Sequence, residues 1–280
     1  MRLGAPIMDE FNNPDEWIRR LKQDGYSAAY CPVSADDSDD TIKQYAQAAE
    51  SANIVIAEVG VWKNPLSPNV VECKQAIEAC INQLELAEKI GACCCVNVSG
   101  SRSHEFWYGP DAKNLTEQTF EMIVESVRHI IDSVKPQRTF YTLEPMPWIY
   151  PDSAESYVRL LKAIDRKAFA VHYDPVNLIN TPDKFYHNGS LMTDFFKRLG
   201  AFIKSIHAKD LTLTSDLTVY LKEIRPGLGF LAYPTLLREV SYLKDVPFML
   251  EHLETKHEYD LSATYIRETA AQQRIKIMHP

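Results

Sequence analysis

Eight strand-like apolar runs alternating with helical patterns predict a single-domain (β/α)8 barrel over residues 1–280. Three observations carry that expectation. The alternation fills the chain without a low-complexity segment or linker at which to divide it. Four of the later apolar runs stop at a carboxylate or an imidazole, as strand ends at the active face of such a barrel do. The first βα turn, Gly4-Ala-Pro-Ile, lacks the glycine-rich phosphate fingerprint of an open nucleotide-binding sheet. A content of 45% hydrophobic residues is enough to fill one large core.

In order, Met1–Met8 reads as the first strand, and Asn13-Pro14-Asp15 opens an amphipathic helix that Gly25 ends. Ser27–Val33 is the second strand, followed by the acidic loop Asp36–Asp40 and a helix over Thr41–Ser51. Ile54–Val61 is the third. Asn69–Ile90 carries apolar residues at Ala76, Ile77, Cys80, Ile81, Leu84 and Ala87, a helical stripe closed by Gly91. Ala92–Val98 is strand four. Asn114-Leu-Thr-Glu opens the next helix, whose 3.6-residue period lasts to Lys135-Pro136, and Thr139–Leu143 is strand five.

Asp152-Ser-Ala-Glu155 caps a helix that leads to strand six, Ala168–Tyr173. Asp183–Leu199 reads as one helix and Phe202–Ile206 as strand seven. Leu211–Ala232, containing Arg225-Pro-Gly227-Leu-Gly229, reads as irregular. A helix over Tyr233–Leu243, strand eight at Phe248–Leu250 and a polar helical tail from Ser262 complete the pattern.

The chemistry lies at the strand ends. Strands five to eight stop at Glu144, Asp174, His207 and Glu251, separated by 30, 33 and 44 residues, about one βα unit each. A barrel makes these four neighbours around half of its mouth. Three carboxylates and one imidazole form an oxygen-rich set that suits Mn²⁺, Mg²⁺ or Co²⁺ better than a thiolate-type zinc site does, although affinity order alone leaves Zn²⁺ open. His172 and Lys209 stand two residues from Asp174 and His207, on the same side of their strands, where they are expected to meet substrate or orient a ligand. Asp210 reads as a cap or turn residue. Glu58, Trp62 and Trp107 end strands three and four or follow them, and Tyr108 and Trp148 lie in the same kind of loop. Aromatic side chains there can stack on the apolar face of a sugar ring.

A formal charge of −8 argues against a nucleic-acid partner. The apolar part of Met1–Met8 is too short for a signal peptide and no run reaches eighteen apolar residues, so a cytoplasmic location without membrane contact is expected. The consecutive Cys93, Cys94 and Cys95 point to alternate faces of a strand and cannot converge on one zinc. With Cys31, Cys73 and Cys80 they read as reduced, mostly buried thiols. A homodimer or homotetramer is the default assembly.

In Leu143-Glu144-Pro, His172-Tyr-Asp174-Pro-Val-Asn177, Ile206-His207-Ala-Lys209-Asp210 and Leu250-Glu251-His252, with Gly60-Val-Trp62-Lys-Asn-Pro-Leu66 before them, the chain resembles the sugar phosphate isomerase/epimerase superfamily. These xylose isomerase-like TIM barrels include ketose 3-epimerases and inosose dehydratases. The resemblance implies that Glu144, Asp174, His207 and Glu251 bind a divalent cation, manganese first among the candidates. It also implies a carbohydrate substrate, with proton transfer through an enediolate and Glu144 and Glu251 as acid and base. Many ketose epimerases of this kind carry a histidine where this chain has Asn177 and an arginine where it has Leu213, with Arg225 the nearest replacement. These departures keep dehydratase or lyase chemistry on a keto-sugar or inosose open as the alternative.

Overall fold

The computed structural model describes all residues from Met1 to Pro280. In chain order the elements are β1 (Arg2–Gly4), α1 (Pro14–Asp24), β2 (Ala28–Tyr30), α2 (Asp39–Ser51), β3 (Val55–Gly60), α3 (Val70–Ile90) and β4 (Cys94–Asn97). They continue with α4 (Glu117–Val134), β5 (Tyr141–Leu143), α5 (Ala154–Ile164), β6 (Phe169–Tyr173), α6 (Pro175–Leu178), α7 (Pro182–Tyr186) and α8 (Asn188–Leu199). β7 (Ile203–Ala208), β8 (Asp210–Leu213), β9 (Leu221–Ile224), α9 (Tyr233–Ser241), β10 (Pro247–Leu250) and α10 (Lys256–Gln272) complete the chain. Eight parallel strands close into a barrel in the order β1-β10-β7-β6-β5-β4-β3-β2, so the expected (β/α)8 architecture is the one observed.

Strand alternation sorts side chains between two environments. On β6, Phe169, Val171 and Tyr173 join the main apolar cluster of 61 buried residues, to which every barrel strand and most of the helices over them contribute. Ala170 and His172 take the opposite sense and turn into the barrel. Helix starts follow the capping logic of the sequence. Asn13, Ser38, Thr116, Ser153 and Thr255 each accept a hydrogen bond from the backbone N–H three residues on, and Ser153 closes a capping box with Ser156. Asn114, expected to open α4, is instead buried in the preceding loop, where it bonds Ser101 and the carbonyl of Gly109.

Two segments depart from expectation. The helix expected over 183–199 breaks at His187, because the Asn188 side chain donates to the carbonyl of Phe185 and so takes an acceptor that a continuous helix would use. The stretch 211–232, expected to be irregular, contains the antiparallel hairpin β8–β9, with Asp210 paired to Ile224 and Leu213 to Leu221. No helix is long and apolar enough to cross a membrane.

Candidate metal centre and active-site cavity

Each strand-end residue reaches the mouth by a local device. After β6 the chain cannot continue as strand because Pro175 lacks an N–H. It turns into α6, with Asp174 as N-cap and its Oδ1 accepting from the N–H groups of Val176 at 2.9 Å and Asn177 at 3.2 Å. That fixes the carboxylate and leaves Oδ2 facing the barrel axis. Glu144 follows β5, its N–H bonded to the carbonyl of Asn97 at 2.8 Å. His207 stands on β7, and Glu251 directly follows β10.

The four expected ligands converge. One donor atom from each of Glu144, Asp174, His207 and Glu251 lies within 4.8 Å of all the others. His207 Nδ1 is 3.0 Å from Glu144 Oε1, 2.7 Å from Glu251 Oε1 and 3.8 Å from Asp174 Oδ2. Lys209 enters the same ring, with Nζ 2.7 Å from Asp174 Oδ2 and 2.6 Å from Glu251 Oε1. The two oxygens are close enough for ion pairs, yet they stand outside hydrogen-bond geometry and remain without a hydrogen-bond partner. Burial works against every charge here. The surrounding carboxylates nevertheless hold Lys209 and His207 well above their ordinary pKa values, and Lys209 and His207 hold Asp174 well below its own.

This donor set fits a divalent cation. Two buried carboxylate oxygens lack hydrogen bonds, three carboxylates converge on one point, and His207 Nε2 lies 3.1 Å from Glu58 Oε1. With a cation among the four donors, Glu58 behind the imidazole would keep the proton on Nε2 and leave the Nδ1 lone pair for the cation.

Glu58 and His172, expected to meet substrate or orient a ligand, sit beneath the four converging residues. Both are essentially inaccessible, and their polar atoms serve the layer beneath the ligands: Glu58 Oε2 accepts from Ser205 Oγ at 2.8 Å and lies 3.2 Å from His172 Nε2. Position 172 does share the inward face with Asp174, but two residues of strand, about 6.6 Å, set it one layer deeper. Its ring packs edge-on against His207 with centroids 4.1 Å apart. Glu58 borders the cavity floor, with its oxygens committed to the two histidines and Ser205.

A cavity of about 630 Å³ opens above the ring, bordered by Glu144, Glu251, Lys209, Trp62 and Trp107 among others. Arg225 does not border it. The turn at Pro226 and Gly227 ends the strand geometry of β9, and the guanidinium bends back to donate to the carbonyl of Pro226. From the same hairpin Glu223 faces the cavity instead, 3.8 Å from Lys209 Nζ and 3.2 Å from His252 Nδ1. Glu223 does not stand out in the sequence, because Leu221-Lys-Glu-Ile shows no apolar–polar alternation to mark a strand. Asn177 also lines the cavity and donates to Glu144 Oε1 at 3.3 Å. Tyr30, unremarked in the sequence, completes the rim with its hydroxyl donating to the carbonyl of Leu250.

Solved structures of the same architecture are similar at low identity. A xylose isomerase-like TIM barrel protein from Mycobacterium smegmatis in complex with magnesium has a TM-score of 0.67 at 14% identity, over 97% of each chain. D-psicose 3-epimerase with D-tagatose from Clostridium cellulolyticum H10 has a TM-score of 0.67 at 15% identity, over 97% of this chain and 99% of the other. The probable 3-DHS dehydratase AsbF from Bacillus anthracis reaches 0.69 at 14% identity, over 95% and 98%. At such identity the likeness speaks for the fold alone. No curated protein sequence matches the chain significantly. The xylose isomerase-like TIM barrel family profile matches residues 9–278, nearly the whole chain, and the protein therefore belongs to that family.

Proposed function

We propose that the protein is a divalent-metal-dependent isomerase or epimerase of a ketose or related polyol, with Glu144 and Glu251 as its acid/base pair. The observation that carries this reading is the convergence of both glutamates with Asp174 and His207 at the floor of an aromatic-rimmed cavity. These four residues would hold a divalent cation, manganese first among the candidates, which would supply Lewis acidity to a substrate carbonyl.

The chain's own residues do the rest. Glu144 and Glu251 turn Oε1 into the ring, and Oε2 of each carries no hydrogen bond. One Oε2 takes the proton from the carbon beside the carbonyl, and the other returns a proton to the opposite face, which inverts that centre. Asn177 steadies Glu144, and Lys209 holds positive charge beside Glu251 and Asp174. Trp62, Trp107 and Tyr108 border the cavity, where a sugar ring can stack and water is displaced. D-psicose 3-epimerase among the similar structures supports this class.

A dehydratase or lyase acting on a keto-sugar or inosose is the second reading. Lys209 and His252 lie 2.6 Å from Glu251 Oε1 and 3.6 Å from its Oε2, placing two further proton donors where a leaving hydroxyl can be protonated. The probable dehydratase among the similar structures supports it.

The test is elemental analysis of the purified protein together with deuterium wash-in from heavy water over a ketose panel. About one divalent ion per chain is expected, lost in Asp174→Ala and His207→Ala. Exchange is expected at the carbon beside the carbonyl, lowered about 10²–10⁴-fold in Glu144→Gln and Glu251→Gln. Loss of water in step with exchange selects the dehydratase. A wild-type protein that takes up no Mn²⁺, Mg²⁺, Co²⁺ or Zn²⁺ on reconstitution overturns both readings.

A further inference from the structure

The main cavity has a neighbour. A second cavity of about 360 Å³ adjoins it, and Trp62 and Trp107 border both. Trp62 occupies the left-handed region at φ 54°, a conformation that strains a bulky residue. It is 38% exposed, and a Cβ on Gly60 would fall 2.3 Å from its Nε1, so the indole lies directly on the bare backbone at the end of β3. Neither indole N–H of the pair is engaged by another residue.

Apart from Ala76, the other residues bordering the second cavity are polar. Asn64 is committed to the loop, donating to the carbonyl of Ser101 and accepting from the N–H groups of Leu66 and Ser101. Glu72 is engaged by Ser67 and Asn69 at the start of α3. Lys63 and Gln75 are exposed, and their side chains have no hydrogen bond or ion pair. Two aromatic side chains beside an unpaired amide and an unpaired ammonium suit a hydroxylated ring. An apolar group would leave those donors unpaired.

We propose that the substrate spans both cavities as a glycoside, with its keto-sugar unit over Glu144 and Glu251 and a second sugar ring between Trp62, Trp107, Lys63 and Gln75. This rests on the sugar-chemistry reading above and extends it to the substrate's size. The other adjoining space, about 560 Å³ beyond Asn177 and Glu223, includes Pro147, Trp148, Ile179, Val219 and Tyr220, and its Trp148 indole already donates to the carbonyl of Tyr108. It offers fewer free donors to a sugar ring.

Calorimetric binding of D-fructose, lactulose and isomaltulose tests the proposal. At least one disaccharide is expected to bind the wild type about tenfold tighter than D-fructose. Trp107→Ala and Gln75→Ala are each expected to bring that ratio to within about threefold of unity, and Trp148→Ala to leave it in place. Equal binding of all three sugars, or a preference that survives Gln75→Ala and falls with Trp148→Ala, overturns the second-ring site. Deuterium wash-in separates the two claims. A disaccharide preference without exchange keeps the site and sinks the chemistry, and exchange without preference does the reverse.

Discussion

Glu58 shows how one side chain acquires its role from depth. Burial raises a lone carboxyl group's pKa, yet His207 and His172 hold Glu58 well below the usual carboxylate range. The anion can then accept from both rings and from Ser205. Glu58→Gln preserves shape but presents an NH₂ to one of these donors, so the tautomer of His207 loses its guide. Affinity for Mn²⁺ is expected to fall about 10- to 100-fold, read by competition with a chromogenic chelator; unchanged affinity would show that Asp174, Glu144 and Glu251 orient His207 unaided. The four ring residues were legible because each follows an apolar run. The depth of Glu58 and His172 was not, since strand alternation gives the face of a side chain and not its layer. Cys31 gives a second prediction at this scale. Burial pushes its thiol up to about 11 from an ordinary 9.0, and the thiol donates to the carbonyl of Val33. The thiolate is the nucleophile, so at pH 8 alkylation by iodoacetamide is expected about 100-fold slower than for an unperturbed thiol, recovering as pH rises toward 11. Rapid labelling of Cys31 at pH 8 contradicts it.

At the scale of elements, the hairpin β8–β9 and its return to α9 hang on Asp210. Its Oδ1 accepts from the N–H groups of Leu211 and Leu231, both at 2.9 Å, and its Oδ2 from Gly227 at 3.1 Å and Gly229 at 3.0 Å. Gly229 makes the approach possible, because a Cβ there would fall 2.2 Å from Asp210 Oδ1. A turn role for Asp210 was readable from its place after β7. The hairpin was not, because β9 carries two exposed residues among its four and the turns around it gave no two-residue hairpin signature. The broken helix at His187 escaped for a related reason, since apolar periodicity continues across the break while Asn188 bonds backwards. Asp210→Ala strands four N–H groups and is expected to cost about 3–5 kcal/mol. It should also free Glu223 from its place beside Lys209. Hydrogen exchange that accelerates across 210–231 and spares the barrel strands is the expected pattern; uniform acceleration places the effect in the barrel instead.

Across the whole molecule, the barrel interior is layered from floor to mouth. Ala28, Ala57 and Met249 form a small apolar cluster separate from the large core outside. Above it lie Glu58, His172 and Ser205, and then the ring of Glu144, Asp174, His207 and Glu251 with Lys209 among them. Met249 fills space left by Gly4, where a Cβ would fall 2.6 Å from its Sδ. The barrel thus keeps water from a polar layer using very few apolar atoms, and that layer can hold charge without open hydration. Met249→Ala removes most of the floor and is expected to cost about 2–5 kcal/mol, lowering Tm by roughly 5–15 °C in a single transition. The ring, however, is held by the strands, with Met249 registered to His207 and to Gly4 through backbone pairing that the substitution leaves intact. A cation that binds only the folded chain adds stability set by its affinity, so the rise in Tm on adding Mn²⁺ should be the same in Met249→Ala as in the wild type. Calorimetry with and without Mn²⁺ decides the matter: an equal rise assigns the ring to the strands, and its loss in the variant makes the apolar floor part of the site.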